Sequence, residues 1–260
     1  MKYILISFAL LVLFVIGTWM IAIPEETILG LIANSLSDST MQIECNGFKK
    51  NIFFGFNADS ISIKKNDRTF ITVENVSGHI SLFQIVRLKL PLILSGTIGD
   101  GRIAGTAELL RGDREISLTI DGTEVASIPF FDLLGLKGSS RLSGTMVMQN
   151  GRGDIQFDMK DTHFVSGTFG SISIPLNDFR KAQGALEIRN AGIKVKSFTM
   201  EGPGIYSRIK GDITGGKMNL TLELMPEKSF TDKNLVFSLL AKYMVTPGFY
   251  SVPLTNQLNF

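Results

Sequence analysis

Three stretches of this chain repeat one frame, and that frame limits what the chain can fold into. Residues 94–109 read "LSGTIGDGRIAGTAEL", residues 142–159 read "LSGTMVMQNGRGDIQFDM", and residues 209–224 read "IKGDITGGKMNLTLEL". Each is a short apolar run holding a glycine, then a turn at Gly99-Asp100, Asn150-Gly151 or Gly215-Gly216, then a run in which apolar and polar residues alternate. Glycine and asparagine tolerate positive φ, which two-residue hairpin turns require, and alternation is the period of a strand. The frames are unevenly spaced, so the repeat is loose and not that of a regular solenoid.

The first frame also contains Gly99, Gly101 and Gly105, a spacing close to a dinucleotide-binding loop. Such a loop needs a helix after the glycines, whose N-terminus faces the pyrophosphate. Here Ile116, Leu118 and Ile120 soon return to the strand period. Asp121 and Glu124 stand where a ribose-binding acid would be wanted, but beside a turn glycine. The frame recurs twice without that chemistry, so the glycines are read as sheet turns and no cofactor is expected.

The remaining chain from about residue 40 is mostly strand-like. "MQIECNGFKKNIFFGFNADSISIKK" breaks at Asn46-Gly47 and Asn66-Asp67, and Asn190-Ala191-Gly192 marks another turn. Phe70, Thr72, Val76, Ile80 and Leu82 belong to such runs. Two helical exceptions stand out. Phe130, Phe131, Leu133, Leu134 and Leu136 suggest a short plug between hairpins. Thr231 or Asp232 can cap a helix through "KNLVFSLLAKYM", ended by Pro247 and Gly248 before a last strand.

The N-terminus reads differently. Residues 3–23 carry no charge and number 21, and about 20 residues of helix cross a bilayer core. Lys2 precedes the run while Glu25 and Glu26 follow it, which places the first residues in the cytoplasm. No small-residue cleavage site ends the run, so an uncleaved anchor is preferred to a signal peptide. Pro24 then opens a short amphipathic helix with Ile28, Leu29, Ile32 and Leu36 on one stripe. The expected fold is mainly β, with an N-terminal transmembrane helix and then an extended, curved, mostly antiparallel sheet with a few short helices. The expected parts are an anchor over 1–23, an amphipathic helix or linker over 24–39, and a periplasmic β-rich domain over 40–260. The expected location is the inner membrane, single-pass, with the bulk of the chain in the periplasm.

Candidate chemistry is sparse. His79 and His163 are the two histidines, and neither has a neighbour at metal-ligand spacing. Asp154, Asp158 and Asp161 form the nearest carboxylate set; on a strand Asp154 and Asp158 share a face, and an exposed face with Ile155, Phe157 and Met159 on the other explains the pattern without chemistry. Cys45 is the only cysteine, so no intrachain disulfide forms. The formal charge is +2 with basic residues scattered, which lacks the footprint of nucleic-acid binding. The expectation is a non-enzymatic protein with no catalytic, cofactor or metal residues.

The order of features resembles a known family. A single N-terminal hydrophobic run, then "FNADSISIKKNDRTFITVENVSGHISL", then "KSFTMEGPGIYSRIKGDITGG" and the tail "PGFYSVPLTNQL" together resemble the type II secretion system protein N family. The resemblance implies an inner-membrane accessory of the secretion machine, partnered by that membrane through residues 3–23 and by other inner-membrane components. The segment 56–94 also looks like the start of AsmA-like proteins. That alternative implies a phospholipid carrier with a hydrophobic β-groove running between the inner and outer membranes.

Overall fold

The computed structural model describes residues 2–36, 42–65, 68–81, 91–108, 115–129, 131, 137–169, 172–174, 176–189, 192–215 and 217–257. The chain forms two compact units, residues 1–97 with 104–112, and residues 98–103 with 113–260. Every strand pairing given below is antiparallel.

The strands of the first unit are β1 (Gln42–Asn46), β2 (Lys49–Asn51), β3 (Gly55–Lys65), β4 (Arg68–Ile80), β5 (Pro91–Ile98, as far as residue 97) and the latter part of β6 (Gly101–Glu108, from residue 104). β3 lies between β1 and β4, β5 follows β4, and β2 pairs with the start of β3. Phe56 on β3 faces Gly78 on β4 and is fully buried. A Cβ on Gly78 would strike the Phe56 ring, so the missing side chain is the space the ring occupies. Phe48 stacks on the same ring at 5.2 Å.

The N-terminal apolar run also packs in this unit. Helix α1 (Lys2–Gly17) has 16 residues, about 24 Å at 1.5 Å per residue, against a hydrocarbon core of about 30 Å. A π-helical turn, Thr18–Ala22, follows, and the chain is extended at Ile23 before helix α2 (Glu25–Leu36). The turn is committed to the sheet. Trp19 is buried, its ring 5.1 Å from that of Phe54, and its Nε1 donates to the Asn51 carbonyl at 2.9 Å. Lys50 Nζ donates to the carbonyls of Trp19 (3.1 Å), Met20 (3.0 Å) and Ile23, groups that a helix end leaves unpaired. The Lys50 backbone N–H donates to Glu25 at the start of α2.

These contacts correct the transmembrane expectation. Among the described residues no helix is long and apolar enough to cross a membrane. The last third of the uncharged run is spent on a widened turn whose tryptophan packs against residues about thirty positions away. The single-pass inner-membrane topology, the cytoplasmic N-terminus with a periplasmic bulk, and the membrane partnership through residues 3–23 are corrected with it. The readings as an anchored secretion component and as a lipid carrier between two membranes both rest on that anchor and fall with it. The mainly β architecture stands.

The Lys50 clasp has a built-in reporter, since Trp19 is the only tryptophan. Lys50→Met removes the ammonium that holds three carbonyls, at a local cost of about 2 kcal/mol. Fluorescence of the variant is expected to shift to the red, with faster amide exchange across Thr18–Ala22. An unmoved emission maximum would show that the clasp does not hold the turn.

The second unit contains β7 (Glu115–Glu124), β8 (Lys137–Gln149), β9 (Arg152–Phe169), β10 (Ile172–Ile174), β11 (Lys181–Arg189), β12 (Gly192–Gly202), β13 (Ile205–Thr214), β14 (Lys217–Pro226), β15 (Met244–Thr246) and β16 (Phe249–Gln257). The order is β7-β8-β9-β11-β12-β13-β14-β16-β15, with β10 beside β9. One cross-strand row explains how it packs. Ile120, Gly144, Phe157, Gly184, Phe198, Ile209, Leu222 and Val252 stand opposite one another in succession. Phe157 and Phe198 meet over Gly184 with centroids 5.8 Å apart, and a Cβ on Gly184 would enter the Phe157 ring. Two 3-10 turns, Val125–Ser127 and Leu176–Asp178, contribute the buried residues Val125 and Leu176, with Ile128 and Phe179 buried just after them.

The turn at Asn150-Gly151 has φ of 52° and 73°, both in the left-handed region that the hairpin demands. The C-terminal helix is broken into Lys228–Lys233, Val236–Leu239 and a 3-10 turn Ala241–Tyr243, after which Met244 already belongs to β15. The Asn234 side chain donates to the Phe230 carbonyl, and its N–H to that of Thr231, which closes the first helix there. The expected plug residues Phe130, Leu133, Leu134 and Leu136, the turn residues Asn66, Asp67, Asn190, Ala191 and Gly216, and Leu82 lie outside the described residues.

Candidate functional site

β-Bulges shape a polar recess of the second unit. On β7 the register against β8 shifts between Ile120 and Thr123, with Gly122 at φ 66°. On β9 the pairing passes from Lys160–Arg141 to His163–Ser139 against a single intervening residue, Ser140, and Asp161 takes φ 53°. A bulge inserts a residue and re-aims the side chains around it. The result is a cleft of about 270 Å³ lined by Asp100, Gly122, Glu124, Ser139, Ser140, Arg141, Asp161 and His163.

Its hydrogen bonding is specific. Buried Ser140 donates to the Lys160 carbonyl at 3.1 Å and lies 3.1 Å from the Thr162 hydroxyl. His163 Nδ1 is 2.8 Å from the Asp161 carbonyl oxygen. A carbonyl only accepts, so Nδ1 is the donor of this hydrogen bond. Among the described residues Asp100, Glu124, Arg141 and Asp161 form no ion pair. Among the described residues no three His, Cys, Asp or Glu side chains come together as metal ligands.

Several charges elsewhere in the unit are paired. Lys196 bridges Asp154 at 2.6 Å and Glu187 at 3.5 Å, and Glu187 also meets Arg189 at 2.8 Å. The Arg189 hydrogen bond holds the Glu187 carboxyl below its ordinary value, and Asp154 holds Lys196 above its own. Glu223 is buried, which pushes its carboxyl up, but hydrogen bonds from Lys210 and Arg208 outweigh this and leave it lowered.

The residues singled out from the sequence are dispersed differently from their spacing. Asp154 and Asp158 both lie on the outer side of β9, Asp154 on Lys196 and Asp158 on Gln183 and Lys160. Asp161 and His163 enter the cleft together with Asp100 from the glycine-rich turn. Arg141, Ser139 and Ser140 were not foreseen, and Glu124 was weighed only as a ribose-binding acid; the Gly122 turn in their midst was the usable signal. His79 is exposed on β4 in the first unit, and half-buried Cys45 lies on β1 with its thiol pushed up by burial. After Gly99 and Gly101 the chain enters strand β6, not a helix, so a pyrophosphate finds no helix N-terminus there.

A second surface lies at the end of the strand order. β15 is the terminal strand and all three of its residues are exposed. Leu235 is 87% exposed, Leu239 75%, Val245 60% and Met244 49%. Phe237 and Leu240 turn inward instead, Phe237 lying 5.2 Å from the Tyr250 ring. Lys242 is the only charged residue between 234 and 250.

No protein-family model, curated protein or solved structure matches this chain. Neither family resemblance therefore has a matching relative behind it.

Proposed function

We propose that the protein is a non-enzymatic binding protein that takes an extended segment of another polypeptide as an added strand on β15. The observation that carries this reading is the apolar, nearly uncharged edge. Exposed sheet edges are ordinarily blunted by charges, proline or a covering element, because their free N–H and C=O groups recruit further strands. Here Met244 and Val245 stand exposed on such an edge, Leu235 and Leu239 are exposed in the segment just before it, and Lys242 is the only charge between residues 234 and 250. Backbone groups of an edge are matched by another extended backbone, and neighbouring apolar side chains supply pockets for alternate residues of the added strand.

The test places a photo-crosslinking amino acid at Leu239, at Val245 and, as a control, at exposed Lys160 in the full chain within its host cell. A single adduct of defined mass is expected from the first two positions and none from the third. Val245→Pro, combined with the label at Leu239, is expected to abolish the adduct, since proline cannot donate to a ladder. Adducts that survive this substitution, or that form equally at Lys160, overturn the reading.

A further inference from the structure

We propose that the N-terminal π-turn and the 3-10 turn Ile52–Phe54 form a strained latch with two positions, and that on release residues 18–22 leave the sheet and continue α1. The latch lies in the first unit and does not depend on strand addition at β15. Three irregularities meet there. Phe54 takes φ of 61°, a left-handed backbone that a bulky side chain adopts only where its surroundings impose it, and its ring is held 5.1 Å from that of Trp19. Thr18–Ala22 is π-helical directly after the regular α1, a geometry that is rare and frequent at functional sites. Lys50 is the third. Its Nζ donates to the carbonyls of Trp19, Met20 and Ile23 and lies 5.9 Å from the centre of the Trp19 ring.

The two positions exchange one set of interactions for another. Latched, Trp19 is buried, its indole donates to the Asn51 carbonyl, and Glu25 accepts from the Lys50 N–H. Two backbone groups of β2 are thus occupied by N-terminal side chains, on a three-residue strand that pairs only with β3 among the described residues. Released, Phe54 returns to negative φ, residues 18–22 regain the i→i−4 bonding of an α-helix, and α1 runs unbroken from residue 2 to residue 22. Release gives up the burial of Trp19 and the Lys50 bonds. In exchange it recovers the strain at Phe54 and regular helix geometry, and Ile21, already 88% exposed, loses no burial. Opposed contributions from the same few residues make an element with two discrete positions.

The experiment follows hydrogen exchange of the Thr18–Ala22 amides and of the Trp19 indole N–H by NMR, in the full chain and in its Phe54→Gly and Phe54→Ala variants. Both variants lose the ring, but only alanine keeps the penalty of a side chain at positive φ. At an ordinary position alanine holds a structure better than glycine does. Here the reverse order is expected, with Phe54→Ala opening about fivefold more than Phe54→Gly. Within each protein the amides and the indole should share one opening constant, insensitive to low denaturant, because the opening is local. Relaxation dispersion on Phe54→Ala should report helical Cα shifts for residues 18–22 in the open state. The proposal is overturned if Phe54→Gly opens as much as Phe54→Ala or more, or if these residues exchange only with global unfolding of the first unit. Separate opening constants for indole and amides, or coil-like shifts in the open state, overturn it as well.

Discussion

Leu222→Asp is expected to prevent the second unit from folding. Leu222 is fully buried on β14 between Ile209 of β13 and Val252 of β16. Truncating a buried leucine costs about 2–5 kcal/mol, and an unpaired carboxylate adds a burial penalty or forces its own protonation. The sum is at or above about 5 kcal/mol, comparable with the whole stability of many domains. Chemical denaturation with circular dichroism should show a lost or strongly shifted transition. Leu222→Met, nearly equal in volume, should stay within about 1.5 kcal/mol of the parent. A cooperative, parent-like transition for the aspartate variant would mean that this row is not the core.

Gly101→Val is expected to damage folding by about 3 kcal/mol, the upper end of overpacking costs. A Cβ at Gly101 would overlap Thr123 Oγ1, Cα and N, and two of those three are backbone atoms that no side-chain rotation can move. Nothing around this position needs the glycine for a ligand, so neither the parent nor the variant should bind a nicotinamide dinucleotide in a calorimetric titration. Gly30→Ala in α2 is the matched control: its Cβ would meet nothing within 4 Å, and it should be neutral or stabilising by up to about 1 kcal/mol. Equal stability of Gly101→Val and the parent would refute the close approach of these two strands.

The hairpins were legible in the sequence because their determinants are local. Asn150 and Gly151 hold positive φ where the frame demanded a tight turn, and the alternation of Ile155, Phe157 and Met159 with Asp154 and Asp158 puts the two sets on opposite sides of β9. The glycines inside the frames had a second use that alternation does not reveal. Gly144 and Gly184 flank Phe157 across two different strand pairings, and only the register shows that a ring covers the second of them.

The cleft was less legible. Asp161 stands three positions after Asp158, so an unbroken strand period would put it on the side of Ile155, Phe157 and Met159. A single extra residue opposite Ser140 resets that period, and Asp161 lines the cleft with His163, Arg141 and Glu124. Strand period is a sum over local geometry, and one bulge resets it for everything beyond. The C-terminal helix misled for a similar reason. Leu235, Val236, Leu239 and Leu240 suit a helix, but Phe237 packs against Tyr250 and Phe230, Leu240 is buried as well, and the segment is broken into short pieces around them.

What the sequence determined by itself was the β class and its hairpins, because turn φ values and the two-residue period are properties of neighbours in the chain. Tertiary structure alone decided the end of the N-terminal apolar run. Composition made residues 3–23 one uninterrupted uncharged segment, yet Trp19 finds Asn51, Phe54 and the Lys50 ammonium, and the α-helix stops at Gly17. A hydrophobic run records that its residues leave water; which surface receives them is set by partners distant in the chain.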